Sequence, residues 1–533
     1  MITSKEMPTP VKPNKLDDYL DGYDSQLRSY LVSGFKFGFN INNMSYTSTT
    51  SDKNAKTTSK WPEVVDKKIK KELDLGRLLG PFRNSPYNDA VISPLGVREK
   101  KLPGEYRLIH DLSFPYDGTS INDGIPRDCA TVHYSTISDA IKLILKMGNN
   151  CYLAKSDIKS AFRIIPVHPS NYHLLGFRWR DLFYFDKCLP MGCSSSCKIF
   201  ESFSTALHWI TSQFLPDIGI VHVLDDFLFI APTYEKCNNA LETFVNICQD
   251  IGVPLAPEKT EGPSQILPFL GIELNTVDML AALPHDKVER CLVAIDNCLQ
   301  SKSVQLKVLQ SLSGLLNFAS SIILPARAFT RRVYDLTIGV KKSYYQIKMT
   351  GEVKKDLTVW KNFLMNYNYR TFFLDYRFIS NTTLHLYTDS AASIGFGGVY
   401  GNKWFVGEWS LACRKLNIAI LELYPICVAL YVWGNCIKNK SVVMHTDNMA
   451  VMYILNNHTS KDRQIMILVR FLVFTCMEHN IVIRAEHIRG VDNSIADFIS
   501  RSKVDAILKK YLHLDRKMTY IPDHITLDKL LTK

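Results

Sequence analysis

The sequence predicts an α+β chain with two sheet-bearing parts and a helical stretch between them. Three observations predict it. Short β-rich runs alternate with amphipathic segments from Cys151 to Leu274, residues 284–370 carry helical periodicity, and a second β-rich block opens at Leu384. A length of 533 residues allows three or four cores, and 46% hydrophobic with 22% charged residues is a globular composition.

Residues 1–60 read as an N-terminal extension and linker. Lys15–Asn43 has some helical pattern, and Ser45–Lys60 is a Ser/Thr/Lys stretch without periodicity. Trp61–Gly80 predicts a helix with Val64, Val65, Ile69 and Leu73 on one face, and the Pro, Gly and Asp of 81–130 predict strands and loops. The next β-rich runs are Cys151–Ser156, Leu174–Phe177, Leu182–Phe185, Ile220–Leu224, Phe227–Ala231 and Phe269–Leu274, with helices over Cys193–Leu215 and Lys236–Ile251. Their hairpin-like pairing favours a mixed sheet over a doubly wound parallel one. Leu309, Leu312, Leu315, Leu316 and Phe318 form one apolar stripe of the helical stretch. After Leu384 come a helix, a strand near Val442–His445 and a strand near Ile481–Ala485, a second α/β domain; the tail from Val504 is basic and helical at first. The expected boundaries are 1–60, 61–150, 151–283, 284–380, 381–503 and 504–533.

The net charge of +11 suits a polyanionic partner without identifying one. Thirteen cysteines show no CxxC pair and no zinc-spaced Cys/His ladder, which fits buried thiols in a reducing compartment. The first fifteen residues are polar and Pro-rich rather than a signal peptide, and the apolar run Ile465–Met477 contains Arg470 and is too short to span a bilayer. The expectation is an intracellular protein, cytoplasmic or nuclear, with no membrane partner.

The first chemical signal is Val221-His-Val-Leu-Asp225-Asp226-Phe-Leu-Phe-Ile230, two acids between two apolar runs. Its simplest geometry is a hairpin with the carboxylates at the tip. Adjacent acids in so apolar a setting repel and resist desolvation, so a divalent cation is an attractive occupant; a solvated Asp-Asp turn is the competing reading. Asp157 stands at the end of another β-rich run, and Leu189-Pro-Met191-Gly192-Cys-Ser-Ser-Ser196 is a Gly/Ser turn opening a helix, where free backbone N–H groups can face a phosphate.

In this order, these segments resemble the palm of reverse transcriptases, over about residues 62–275. The resemblance implies a right-hand polymerase of fingers, palm and thumb, with Asp157, Asp225 and Asp226 holding two Mg2+ ions (Mn2+ as an alternative) that serve an in-line displacement. It also implies that Arg107, in Gly104-Glu-Tyr-Arg107-Leu-Ile-His-Asp111, contacts the incoming triphosphate, with Lys100 or Lys101 as its companion. Phe162, five residues after Asp157, falls at the aromatic sugar gate that favours deoxynucleotides, Lys259 near the lysine that protonates pyrophosphate, and Phe269-Leu-Gly-Ile-Glu at the primer-grip strand. Each has an ordinary reading beside it: a core aromatic for Phe162, a solvated loop lysine for Lys259, a surface ion pair for Arg107. Val223 replaces the aromatic residue many relatives carry two before the paired acids, and Met191 replaces a frequent glutamine, so contacts there do not carry over.

A second set lies in Tyr387-Thr-Asp389, Ile420-Leu-Glu422, His445-Thr-Asp447 and Ile495-Ala-Asp497. The order Asp, Glu, Asp, Asp resembles the RNase H fold, which implies another two-metal site hydrolysing RNA in RNA–DNA hybrids. His487 matches that family's mobile histidine; a surface histidine is its plain alternative. Pro425, in the helix of Glu422, predicts a kink or an irregular first part.

Gly34-Phe-Lys-Phe-Gly-Phe, Gly76-Arg-Leu-Leu-Gly-Pro-Phe, Ser93-Pro-Leu-Gly-Val and Phe200-Glu-Ser-Phe-Ser look like DIRS-type retrotransposon polyproteins, which integrate through a tyrosine recombinase. That implies RNA template, DNA primer, RNA–DNA hybrid and dNTPs as partners, with separate recombinase and capsid-like proteins. The rival is a decayed or domesticated copy that only binds nucleic acid; all seven expected carboxylates stand in an uninterrupted frame, which disfavours it.

Overall fold

Each β-rich run expected between Cys151 and Ala231 becomes a strand whose ends lie within two residues of the expected ones. The structure, a computed structural model, describes residues 7–45, 51, 53–100, 104–366, 370–372, 379, 381–438, 440–479 and 481–532. Lys101, one of the two candidate companions of Arg107, lies outside the described residues, as does part of the expected linker. The chain forms two units, residues 1–270 with 274–278 and residues 271–273 with 279–533.

In the first unit, helices Pro13–Tyr19 and Ser25–Phe37 contribute Leu16, Leu31 and Phe35 to the core, where Phe35 meets Phe203 edge-on at 4.7 Å. The described part of the expected linker is tied down. Asn54 Oδ1 accepts the Leu95 N–H at 2.8 Å and Thr57 Oγ1 accepts the Val97 N–H at 3.0 Å. Trp61–Gly80 is not one helix. Helix α1 (Pro62–Asp74) stops before Gly76, whose φ of +66° suits a residue without Cβ, and Leu78–Phe82 continues as a strand paired with Leu182–Asp186. Strands β1 (Leu95–Glu99) and β2 (Tyr106–His110) form a hairpin.

The central sheet holds β3 (Tyr152–Asp157) and, after helix α2 (Ser196–Phe214), β4 (Gly219–Val223) and β5 (Asp226–Ala231). Helix α3 (Tyr234–Ile251) and β6 (Glu261–Ser264) follow, and the antiparallel order is β4-β5-β3-β6. Phe227 and Phe229 of β5 point to Phe244 of α3, with ring centroids 4.7 and 5.2 Å away. Leu228 and Ile230, on the alternate face, are also buried, and helix Ile137–Met147 approaches that sheet so closely that a Cβ on Gly219 would sit 3.3 Å from Leu143 Cβ. Cover on both faces explains why this run reads as unbroken apolar sequence. The run Phe269–Leu274 is interrupted instead: Leu270 and Gly271 both have positive φ and separate Ile266–Phe269 from Ile272–Asn275.

The second unit begins with helices His285–Gln300, Leu306–Ala319 and Gly351–Asn366, as the apolar stripe predicts, plus a short strand pair, Ser303–Gln305 with Gln346–Lys348. An antiparallel meander follows: β7 (Leu386–Ala391), β8 (Gly395–Tyr400) and β9 (Lys403–Glu408). Then come α4 (Ile418–Trp433), β10 (Ser441–Thr446), α5 (Arg463–Glu478), β11 (Val482–His487), which is parallel to β10, and α6 (Ser494–Arg501). Helix α4 runs on through Pro425. By length and composition Ile418–Ile437 could cross a membrane, a stretch longer than the run noted at Ile465–Met477, yet 72% of it is buried inside the unit as a core helix. The tail belongs to this unit. Trp404 Nε1 donates to the Asp515 carbonyl at 2.8 Å, Trp433 Nε1 to Thr519 Oγ1 at 3.2 Å and the Tyr424 hydroxyl to the Ile525 carbonyl at 3.1 Å.

Candidate active sites

The hairpin expected at Asp225–Asp226 joins β4 to β5, and strand register collects the acids. Asp226, first residue of β5, lies directly opposite Asp157, last residue of β3, and also opposite Val223 on the other side. Asp225 sits in the turn, where its carbonyl accepts the Ile158 N–H at 3.0 Å. Asp157 is buried, and Lys259 Nζ lies 2.7 Å from its Oδ2. Burial raises both turn acids, Asp225 with help from the Asp157 charge, and Asp226 to about 6 with help from Asp225 and Asp157. For Lys259, burial works against the ammonium, but the bond to Asp157 and the charges of Asp225 and Asp226 win and raise its pKa.

A cavity of about 390 Å³ opens onto these acids. Asp157 and Asp225 line it, facing a wall of cations that includes Arg107, Lys100, Lys68 and Lys71, with Met191 and Lys259 also in the lining. Lys100 is paired with Glu105 at 2.9 Å. Lys68, which the sequence did not single out, has its pKa lowered by burial and then by repulsion from Lys100 and Lys71. Ala161 lines the cavity, whereas the Phe162 ring packs edge-on against Phe200 at 5.7 Å, beside the core. Gly192 has φ +132°, and a Cβ there would come 1.9 Å from the His110 carbonyl, so this approach of strand β2 requires glycine. Asn122 clamps the same turn: its Nδ2 donates to the Gly192 carbonyl at 2.8 Å and its Oδ1 accepts the Ser194 N–H at 2.9 Å. One of the N–H groups expected to face a phosphate is thereby occupied.

Under the cavity, Arg163 is buried between Glu72 at 2.9 Å and Asp186 at 2.8 Å, and His110 Nδ1 lies 3.1 Å from Asp186. Burial by itself would raise Asp186, but Arg163 and His110 hold it below its usual range. No motif in the sequence announces this network. Its members come from four separated segments.

In the second unit, carboxylate oxygens of Asp389, Glu422 and Asp447 all lie within 4.8 Å of one another. Asp389 is in mid-strand β7, Glu422 on the first turns of α4, and Asp447 just beyond β10. Ser500 Oγ donates to Asp389 Oδ2 at 2.7 Å, fixing that carboxylate from α6. Burial, then the charges of Asp389 and Asp447, push Glu422 to about 9. Asp497 stays outside the triad: its Oδ1 accepts from Arg501 Nε at 2.7 Å, an i,i+4 pair along α6. His487 ends β11, exposed, with Nε2 3.1 Å from the Asp447 carbonyl oxygen.

Both sets fit divalent cations on their donor chemistry. All candidate ligands are hard carboxylate oxygens, and Asp226 and Glu422 are raised by burial first and by the neighbouring carboxylates second. A divalent cation would be held by Asp157, Asp225 and Asp226 in one unit and by Asp389, Glu422 and Asp447 in the other.

Residues 101–274 match a family described as reverse transcriptase (RNA-dependent DNA polymerase). The chain is 25% identical over 367 residues to an enzymatic polyprotein of cassava vein mosaic virus, covering 66% of this chain and 52% of that protein. It is 27% identical over 217 residues to the Gag-Pol polyprotein of gibbon ape leukemia virus, covering 39% and 12%. The chain thus spans about half the length of the first relative and much less of the second. Among solved structures it is similar to a foamy viral protease-reverse transcriptase in complex with double-stranded DNA, at 15% identity and TM-score 0.49, covering 91% of this chain and 84% of that one. The central segment therefore carries a reverse transcriptase domain, and the chain has retroviral and retroelement polyproteins among its homologues.

Proposed function

We propose that the chain is an RNA-directed DNA polymerase that also cleaves the RNA strand of RNA–DNA hybrids, serving replication of a DIRS-type retrotransposon. One observation carries the polymerase reading: Asp157 faces Asp226 in register, with Asp225 in the adjoining turn, at the mouth of a cation-lined cavity inside the segment that matches the reverse transcriptase family. RNA template, DNA primer and deoxynucleoside triphosphates are its substrates. A separate recombinase and capsid-like proteins complete the element.

In this reading Arg107, with Lys100 beside it, holds the triphosphate in the cavity, and Met191 and Gly192 border the nucleotide. Extension joins the primer 3′-oxygen to the α-phosphorus and breaks the bond from that phosphorus to the bridging oxygen. The hydroxyl proton goes to solvent, and pyrophosphate departs with a proton that Lys259 Nζ is placed to give. Two divalent cations per site, when bound, supply the charge that favours the attacking alkoxide and steadies the leaving oxygen. Phe162 follows Ala161 of the cavity lining, and as the sugar gate its ring would have to turn from Phe200 to meet a 2′-hydroxyl. In the nuclease site Asp389, Glu422 and Asp447 hold the cations, Asp497 contributes from the rim once Arg501 releases it, and His487 serves proton transfer and product release.

Primer extension on a homopolymer RNA template with magnesium tests the reading. The parent extends the primer with dNTPs, and Asp225→Ala does not; equal extension by both would remove the assigned site.

A further inference from the structure

The catalytic turn contains a residue in an unfavourable conformation. Leu224 has φ +52°, a region that L-residues other than Asn and Asp seldom occupy, and it immediately precedes Asp225. A side chain from another element holds it there. Glu201 of α2 accepts the Leu224 N–H on Oε2 at 3.0 Å, while its Oε1 lies 3.3 Å from His222 Nε2. His222, on β4, places its Nδ1 2.8 Å from His208 Nδ1, and its ring stacks on Phe227 at 5.3 Å. Both Glu201 and His222 are largely shielded from water, with side-chain exposures of 13% and 9%.

Two Nδ1 atoms in contact require one donor and one acceptor. A His222 with a proton on Nε2 donates to Glu201, and the two Nδ1 atoms share one proton between the rings. The line runs from His208 of α2 through His222 of β4 to Glu201 of α2, and from there to the Leu224 N–H.

We propose that Glu201 is the positioning residue of the polymerase turn, aligned by His222 and His208, and that it acts by holding Leu224 so that Asp225 and Asp226 face Asp157. This rests on the polymerase reading above. Glu201 touches no substrate in that reading; it acts only through the turn.

The test uses the full chain with Glu201→Gln, Glu201→Asp and Glu201→Ala, in steady-state primer extension and in hydrogen exchange of the peptide spanning Leu224. Glutamine keeps an acceptor at the same reach, so E201Q stays within about threefold of the parent in kcat. E201D draws the acceptor back by one methylene, and E201A removes it. Both lower kcat by about tenfold or more, leave the dNTP KM within about threefold, and speed exchange at Leu224. Should E201A fail to fold, E201D carries the comparison. Folded E201D with parental kcat and parental exchange at Leu224 would overturn the proposal. So would a loss in E201Q as deep as in E201A, since that pattern belongs to the charge and not to the acceptor. A parent chain that extends no primer overturns the polymerase reading, and this proposal with it, whatever the exchange data give.

Discussion

The two carboxylate sites reach similar charge density by opposite routes. In the first unit, two acids are neighbours in sequence and the third is brought opposite by strand register, and a lysine of the same unit already sits 2.7 Å from Asp157. In the second, three acids come from β7, α4 and the end of β10, and among the described residues no ion pair joins a cation to the triad; Arg501 is paired with Asp497. Burial is the largest cause of both shifts, Asp226 to about 6 and Glu422 to about 9, and neighbouring carboxylates add to each. Lys259 offsets part of the first and Arg501 part of the second.

The comparison is broken most sharply by removing one ligand from each side. Asp226→Asn should reduce primer extension by about a thousandfold or more, about 4 kcal/mol in the barrier, and leave hybrid cleavage within about threefold. Asp447→Asn should do the reverse. A variant that loses both activities together would join what the geometry keeps separate.

The internal cation gives a second, smaller effect. Lys259→Ala removes the partner of Asp157 and the proposed proton donor, and should lower extension by about tenfold to a hundredfold with cleavage unchanged. Lys259→Arg keeps the ion pair without a readily transferable proton, so it separates the two contributions: pairing alone predicts rescue, donation does not.

The tail should matter to stability in the second unit only. It supplies the acceptors of three buried aromatic donors, Trp404, Trp433 and Tyr424. Trp404→Ala, at a fully buried site, should cost about 3–5 kcal/mol by thermal or denaturant unfolding, without lowering extension by the folded chain at low temperature.

In the first unit, acid sensitivity should appear at His208. Burial, and then the His222 charge, lower His208 to about 4 from an ordinary value of 6.5. The unfolded chain therefore takes up this proton first as pH falls. Stability is complete above about 6.5, falls between there and about 4, and levels off below. His208→Asn should flatten that part of the unfolding profile, compared with the parent in matched buffers.

The sequence made legible what is local or repeated. The Asp-Asp pair stands out because adjacent acids between apolar runs are costly, and Asp157 because it ends a β-rich run; Asp389 and Asp447 each read alone as a cap or surface acid and gained meaning from the order of four acids that resembles the RNase H fold. Glu201, His222 and His208 were not legible as a set, since only the packing of α2 across β4 brings them together. The Arg163–Asp186–His110 network and Lys68 escaped for the same reason. Arg501 was within reach, because its i,i+4 spacing from Asp497 on a helix is a readable ion-pair signal. The strand at Leu78–Phe82 was also signalled, by Gly76 and Pro81, and the apolar stripe ahead of it masked the break. The tail's docking escaped as well, because Ile507, Leu514, Ile525, Leu527 and Leu530 are buried from short, separate segments rather than one long stripe.

The central claim is that two independent carboxylate centres on one chain perform synthesis and cleavage. A single measurement tests it most directly: one RNA-templated primer, its RNA strand and DNA primer labelled differently, followed in the same reaction with magnesium for the parent, Asp226→Asn and Asp447→Asn. The account predicts DNA extension without RNA cleavage in Asp447→Asn, and cleavage of the primer–template hybrid without extension in Asp226→Asn. Extension that persists in Asp226→Asn, or cleavage that persists in Asp447→Asn, would contradict it.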